Sequence, residues 1–294
     1  MSGKLKEVRE RMKSVRSTQQ ITNAMKMVSA AKLRKAQEAI IRMRPYALKL
    51  NYILKNILSN IDGSVSNPYG ISREVNKALI VVVTSNRGLC GAFNSNVIKA
   101  ATHQIQTAYA DVRKNGNLAI LCIGKKGYDF FRRYYKDCTI IRDRVQLFQD
   151  LSFNNTAQAS GQIMDAFVQG DYDAVDVAYG VFKNPATQYA TLTSFLPVQI
   201  ERSETKSRAD YIFEPDQDTL LQQLVPNILR IQFQRFLLDT HASEHGARMT
   251  AMDKATENAE ELIKELRINY NKVRQEAITR ELSEIVGGAA ALER

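Results

Sequence analysis

The chain has 294 residues, 44% hydrophobic content and a formal net charge of +10, enough for one sizeable core plus extensions. No run of about 18 apolar residues occurs, which argues against a membrane-spanning helix. The charged opening MSGKLKEVRERMKSV lacks the apolar centre of a secretory signal, and no organellar presequence is evident. Cys90, Cys122 and Cys138 show no metal spacing and are expected to be reduced structural thiols.

Steps of three and four from Leu5 trace a single heptad register through Val8, Met12, Val15, Gln19, Thr22, Lys26, Ser29, Leu33, Ala36, Ile40, Met43, Ala47, Leu50, Leu54 and Ile57. Its middle is polar. There Ile21, Met25 and Val28 place apolar side chains at helical spacing on another face. Two explanations remain open: the helix rotates against its mate, or these residues form a collar that meets an outside surface, a role suited to adaptable methionine. Residues 1–58 hold fourteen Lys and Arg against Glu7, Glu10 and Glu38, so this segment carries the whole cationic excess. An acidic partner is expected. Nucleic acid fits less well than an acidic protein surface, because no aromatic able to stack on bases precedes Tyr46 and no nucleic-acid motif is present.

The middle of the chain alternates strand and helix signals. Strands are predicted at 77–84, Leu118–Ile123, Thr139–Ile141, 174–182 and 187–199, and helices at 96–113, Lys125–Tyr134 and 155–168. The order implies a largely parallel sheet covered on both faces, a Rossmann-like α/β domain. The turn after the first strand carries Gly88 and Gly91, and that after the second Gly124 and Gly127. Neither spacing makes a dinucleotide or phosphate-binding fingerprint, so these glycines are read as serving close packing.

From 227 to the end there is no proline, and a long helix is predicted, with a stripe at Met252, Ala255, Ala259, Leu262, Leu266 and Val273 and a polar break at Asn269. At 1.5 Å per residue, roughly 60 such residues would extend about 90 Å, beyond any domain the rest of the chain could build. The simplest partner is the N-terminal helix, antiparallel within one chain. The domains expected are a coiled-coil helix at 1–61, a linker at 62–76, the α/β domain at 77–200, an exit linker and foot at 201–218, and the second coiled-coil helix at 219–294. His241, Glu244 and His245 match the His-x-x-Glu-His pattern of inverted zinc proteases, but with no third ligand in view they are read as helix-surface residues.

Four stretches together resemble the gamma subunit of rotary ATP synthases: SVRSTQQITNAMKMVSAAKLRKAQ at 14–37, SNRGLCGAFN at 85–94, ASEHGARMTAMDKATENA at 242–259 and YNKVRQEAITRELSEIVGGAAA at 270–291. The resemblance implies a central shaft whose terminal helices form an antiparallel coiled coil inside a ring of three alpha and three beta subunits, with epsilon and the membrane c-ring as further partners. It implies that catalysis lies on the ring, so no catalytic, cofactor-binding or metal residue is assigned to this chain. A peripheral protein on the cytoplasmic side of a bacterial inner membrane is expected. The alternatives are a basic coiled-coil nucleic-acid binder and a Rossmann-like nucleotide-binding enzyme.

By motif, Met25 resembles the shaft residue near an acidic lever of beta, and Lys26 would complement that lever's charge. Arg248 resembles the arginine that engages a catch loop of beta, and Arg248→Ala is expected to weaken coupling without unfolding the chain. Arg274, Gln275, Thr279 and Glu281 resemble an upper contact belt. Without the family match, Arg248 and Arg274 are read as pairing with Glu244 and Glu281 on their own helix. In DYIFEPD, at 210–216, Tyr211 and Glu214 resemble a foot that meets the membrane ring and epsilon.

Overall fold

A computed structural model describes residues 3–59, 68–198 and 217–292. In chain order the elements are α1 (Gly3–Ser59), a short 3-10 turn (Pro68–Gly70), β1 (Ala78–Val83), α2 (Phe93–Thr107), α3 (Ala110–Lys114), β2 (Leu118–Ile123), α4 (Lys125–Tyr134), β3 (Thr139–Ile141), α5 (Phe153–Gln169), β4 (Ala174–Asn184), β5 (Thr187–Leu196) and α6 (Gln217–Leu292). They form two compact units, one of Met1–Ser29 with Met249–Arg294, the other of Ala30–Arg248. Both long helices contribute segments to each unit.

In the larger unit, five strands lie in the order β3-β2-β1-β4-β5, parallel except for the β4–β5 hairpin. Every residue of β1 and β2 is buried, as continuous apolar runs require when helices cover both faces. Alternation splits β1 between two cores: Leu79, Val81 and Val83 join α5 and the first half of α6 through Phe167, Phe233 and Leu237. Ala78, Ile80 and Val82 join α2 and α4 through Val97, Ile105 and Phe131.

The helix predicted at 96–113 is two helices. Backbone N–H groups of Ala108 and Tyr109 both turn back to the Gln104 carbonyl, which ends α2. The break sends Tyr109 inward, where its hydroxyl donates to Asp176 Oδ2 at 2.8 Å, beside a 2.7 Å bond from Gln104 to the same oxygen. Asp176 is a buried carboxylate in a central strand, and these bonds offset the cost of hiding its charge. Periodicity carries no trace of such a polar anchor.

Of the turn glycines, Gly124 acts as the close-packing reading expects, whereas a Cβ on Gly91 would meet nothing within 4 Å. Gly124 has φ +97°, and a Cβ there would lie 1.9 Å from the Thr84 carbonyl oxygen. Gly180 on β4 admits α6: its N–H donates to Thr240 Oγ1 and its carbonyl accepts from Ser243 Oγ, each at 3.2 Å.

Candidate functional site

The smaller unit is an antiparallel helix pair, and its register is readable from three cross-helix contacts. Arg9 Nη2 donates to the Tyr270 hydroxyl at 2.9 Å, the Thr22 and Thr256 hydroxyls bond at 2.8 Å, and Lys26 Nζ pairs with Asp253 Oδ1. As one helix ascends in number the other descends, with nearly constant sums. Within this unit Leu5, Val8, Thr22 and Ser29 of the predicted α1 seam are buried, with Met12, Val15, Gln19 and Lys26 half-buried between them.

The facing seam on α6 differs from the expectation. Asn269 is exposed, and the buried and half-buried positions run Met252, Thr256, Ala259, Ile263, Leu266, Tyr270, Val273 and Ala277. The steps are four then three, not three then four, so Tyr270 takes the place predicted for the polar break. Ala255 and Leu262 flank this line half-buried. The register matches what α1 presents: Thr22 meets the Thr256 hydroxyl, and the Arg9 guanidinium lies over the Tyr270 ring, 5.7 Å from its centre.

The polar stretch of α1 therefore stays in the seam, and the rotation alternative fails. Thr22 is bonded to Thr256, Lys26 to Asp253, and Ser29 Oγ donates to the Met25 carbonyl at 2.8 Å. A satisfied polar layer fixes register at some cost in apolar burial. Ile21 and Val28 consequently remain outside, 60% and 57% exposed, with Met25 half-buried between them. Lys26 is committed to Asp253, a partner the sequence did not reveal because it depends on the register across the pair.

Farther along α6 the burial ends. By the register of the pair, residues beyond about 277 have no α1 residue opposite them. Every described side chain from Ile278 to Gly288 is exposed, including Leu282, Ile285 and Val286. Arg274, Gln275, Thr279 and Glu281 are exposed as well, and no Arg274–Glu281 ion pair forms among the described residues. Tyr211 and Glu214 lie outside the described residues.

Arg248, in the larger unit, is not a free surface arginine. It is 7% exposed. Its Nη1 meets Glu244 Oε1 at 2.6 Å, and its Nη2 donates to the carbonyls of Arg87 and Gly88 at 3.0 and 3.2 Å. The turn that it clamps is braced internally: Ser85 Oγ donates to the Arg87 carbonyl at 2.6 Å, and Asn94 Nδ2 donates to Cys90 Sγ at 3.2 Å. Two of the stretches that carried the family resemblance thus meet at one guanidinium. Burial raises the Glu244 carboxyl and Arg248 opposes that rise. Truncating Arg248 would leave a buried acid unpaired, so the expectation that Arg248→Ala spares folding is revised.

The two histidines complete this cluster. Arg248 can only donate, so His245 Nδ1, 3.3 Å from its Nη1, must accept. The neutral His245 ring then carries its proton on Nε2, which faces His241 Nε2 at 3.2 Å. Burial, with Lys32 and Arg248 nearby, holds His241 down to about 4, and burial with His241 and Arg248 holds His245 to about 3. An adjoining guanidinium and an acid already engaged by it are a poor setting for a cation. The His-x-x-Glu-His residues were expected on the helix surface, and the structure corrects this: Glu244 and His245 are buried and His241 is half-buried. They are an interior hydrogen-bond chain ending on Phe148, whose ring stacks on His241.

This fold defines a class of protein in which the first and last helices pair in opposite directions and an α/β sheet domain lies between them in sequence. The family model described as ATP synthase matches residues 4–292. The chain is 49% identical over 294 residues to an ATP synthase gamma chain of Cytophaga hutchinsonii, covering 98% of both, and 48% identical over 290 residues to that of Flavobacterium psychrophilum, covering 98% and 99%. Among solved structures it resembles a chain of the Euglena gracilis mitochondrial ATP synthase OSCP/F1/c-ring assembly in rotational state 3, with TM-score 0.67, 24% identity and coverage of 99% and 95%. A second match, to the rotor of the same enzyme in rotational state 1, has TM-score 0.61, 22% identity and coverage of 95% and 100%. The chain belongs to the ATP synthase gamma chain family. Matches of this extent leave the nucleic-acid-binding and Rossmann-enzyme alternatives without support.

Proposed function

We propose that this chain is the rotating central shaft of an ATP synthase, coupling ion flow through a membrane c-ring to nucleotide chemistry on a surrounding ring of alpha and beta subunits. The observation that carries this reading is the end of α6, where Ile278, Leu282, Ile285 and Val286 are exposed with no helix opposite them among the described residues. Apolar side chains in such a row call for cover from another protein. A sleeve formed by the ring supplies it while making no fixed bond that would stop rotation.

Torque follows from asymmetry. A rod that shows each of three equivalent neighbours a different face stabilises a different conformation in each, and turning it moves those conformations around the ring. In this scheme the chain performs no catalysis. Ile21, Met25 and Val28 form a collar facing an acidic segment of beta, with Lys26 beside it. Arg274, Gln275, Thr279 and Glu281 make the upper belt. Arg248 acts from inside by holding the turn at Arg87 and Gly88 in place. Residues 1–61 and 219–294 make the shaft, 77–200 the α/β domain, 62–76 a linker, and 201–218 the foot, where Tyr211 and Glu214 face epsilon and the c-ring. The assembly lies on the cytoplasmic side of a bacterial inner membrane.

Co-expression with alpha, beta and epsilon subunits tests the proposal. A stable complex whose ATPase activity depends on this chain is expected, and failure to recover any alpha–beta ring with it would defeat the reading.

A further inference from the structure

The larger unit contains a cleft of about 680 Å³. It opens at the carboxyl ends of the parallel strands, bordered by the residues that follow β1, β2 and β3, with Lys32 of α1 and the Arg248 cluster of α6 closing it. Open α/β sheets place ligands at that edge. The volume is that of a small-molecule site.

The lining is rich in donors and poor in available acceptors. Lys32, Arg87, Lys125 and Arg248 all reach it, against one carboxylate, Glu244, which is engaged by Arg248. Two of the side-chain acceptors are also occupied from within: Asn86 Oδ1 takes the Lys125 N–H at 3.1 Å, and Gln146 Oε1 takes Gln149 Nε2 at 3.0 Å. The amide nitrogens of Asn86 and Gln146 are thereby left as donors. Among the described residues, no protein carboxylate pairs with Lys32, Arg87 or Lys125. His241 and His245, held neutral chiefly by burial, add no charge.

We propose that this cleft binds a compact phosphate-class anion, held by Lys32, Arg87 and Lys125 with the Asn86 and Gln146 amides. The α4 N-terminus does not contribute. Its first N–H groups are taken by Asn86 Oδ1, the Ser85 carbonyl and Thr84 Oγ1. Side chains, not a glycine loop, do the binding, which explains why no phosphate-loop spacing appears in the sequence.

Titration calorimetry of the full chain with sodium pyrophosphate tests the proposal, with inorganic phosphate and ADP as separate arms. Saturable one-to-one binding is expected, weakened about tenfold by Lys32→Ala and again by Lys125→Ala. Both lysines are exposed, so the melting temperature should not move. Lys6→Ala, in the other unit, should leave binding unchanged. ADP binding tighter than pyrophosphate would identify a nucleotide phosphate as the ligand, and weaker ADP binding a free phosphate compound. Absence of saturable heat in every arm, binding unchanged in the Lys32→Ala/Lys125→Ala variant, or an equal loss on Lys6→Ala would overturn the site.

Discussion

The Arg248 cluster and the paired helices treat polar side chains in opposite ways. In the α/β unit an arginine, a glutamate and a histidine are taken out of water beside a half-buried second histidine, and the arginine is tied to two backbone carbonyls, so that one turn is held in a single geometry. In the helix pair the polar residues form a modest register layer, and the large apolar residues at Ile21, Val28 and the end of α6 stay in solvent. The first arrangement stores stability, and the second leaves contact surface open. A protein whose work is done by touching neighbours needs both, in separate places.

Removing the open surface should have the largest functional effect and the smallest structural one. Deleting residues 278–294 takes away no described buried side chain, so the chain should melt within a few degrees of wild type. ATP-driven proton pumping by the reconstituted complex should be lost. A deletion that still pumps fully would break the comparison.

Disturbing the buried cluster should do the reverse. Arg248→Ala is expected to cost about 3–5 kcal/mol in denaturant unfolding of the full chain, because Glu244 is left buried without its partner and the Arg87 and Gly88 carbonyls lose their donor. Replacing both partners together, as Arg248→Met with Glu244→Leu, should recover most of that loss. If the single variant is as stable as wild type, the clamp is not the structural element described here.

The histidines sharpen the same point through pH. Both folded imidazoles sit below the ordinary value of 6.5, so their neutral forms contribute stability that is complete above pH 6.5 and is lost as pH falls toward about 4 and 3. A loss of about 5 kcal/mol between pH 6.5 and 4 is expected beyond the general acid effect. The His241→Gln/His245→Gln variant should flatten that part of the profile. Asp239 runs the other way: burial pushes it up to about 6, so its contribution is full below 3.8 and declines as pH rises through 6. Asp239→Asn should therefore stabilise the chain at pH 8 by about 1–2 kcal/mol.

The smallest effect belongs to the helix pair. Lys26 and Asp253 are both partly solvated, and Asp253→Asn should change stability by less than about 1 kcal/mol. It would free Lys26 for an acidic partner. A coupling rate that rises or holds with Asp253→Asn fits that role, and a collapse of coupling would assign the work to the ion pair itself.

Legibility in the sequence followed the same division. Strand positions β1 and β2 were readable because buried parallel strands need unbroken β-branched and aliphatic runs, and the α1 seam was readable because its heptad is unbroken from Leu5. The α6 seam was misphased by one position at Thr256, Ile263 and Tyr270, since Ala255 and Leu262 made the neighbouring line look equally apolar. Arginine and histidine signal solvent in any local pattern, so the Arg248 cluster stayed hidden: its acceptors at Arg87 and Gly88 lie 161 and 160 residues away. The apolar line at Ile21 and Val28 was visible as a pattern, but only the register with α6 separated exposed side chains from seam.

Rotation itself is the most direct measurement. With the alpha–beta ring fixed to a surface and a bead attached through a cysteine introduced at exposed Tyr134, the account predicts that the bead turns steadily in one direction when ATP is supplied. A bead that stays in place while the complex hydrolyses ATP at its full rate would contradict it.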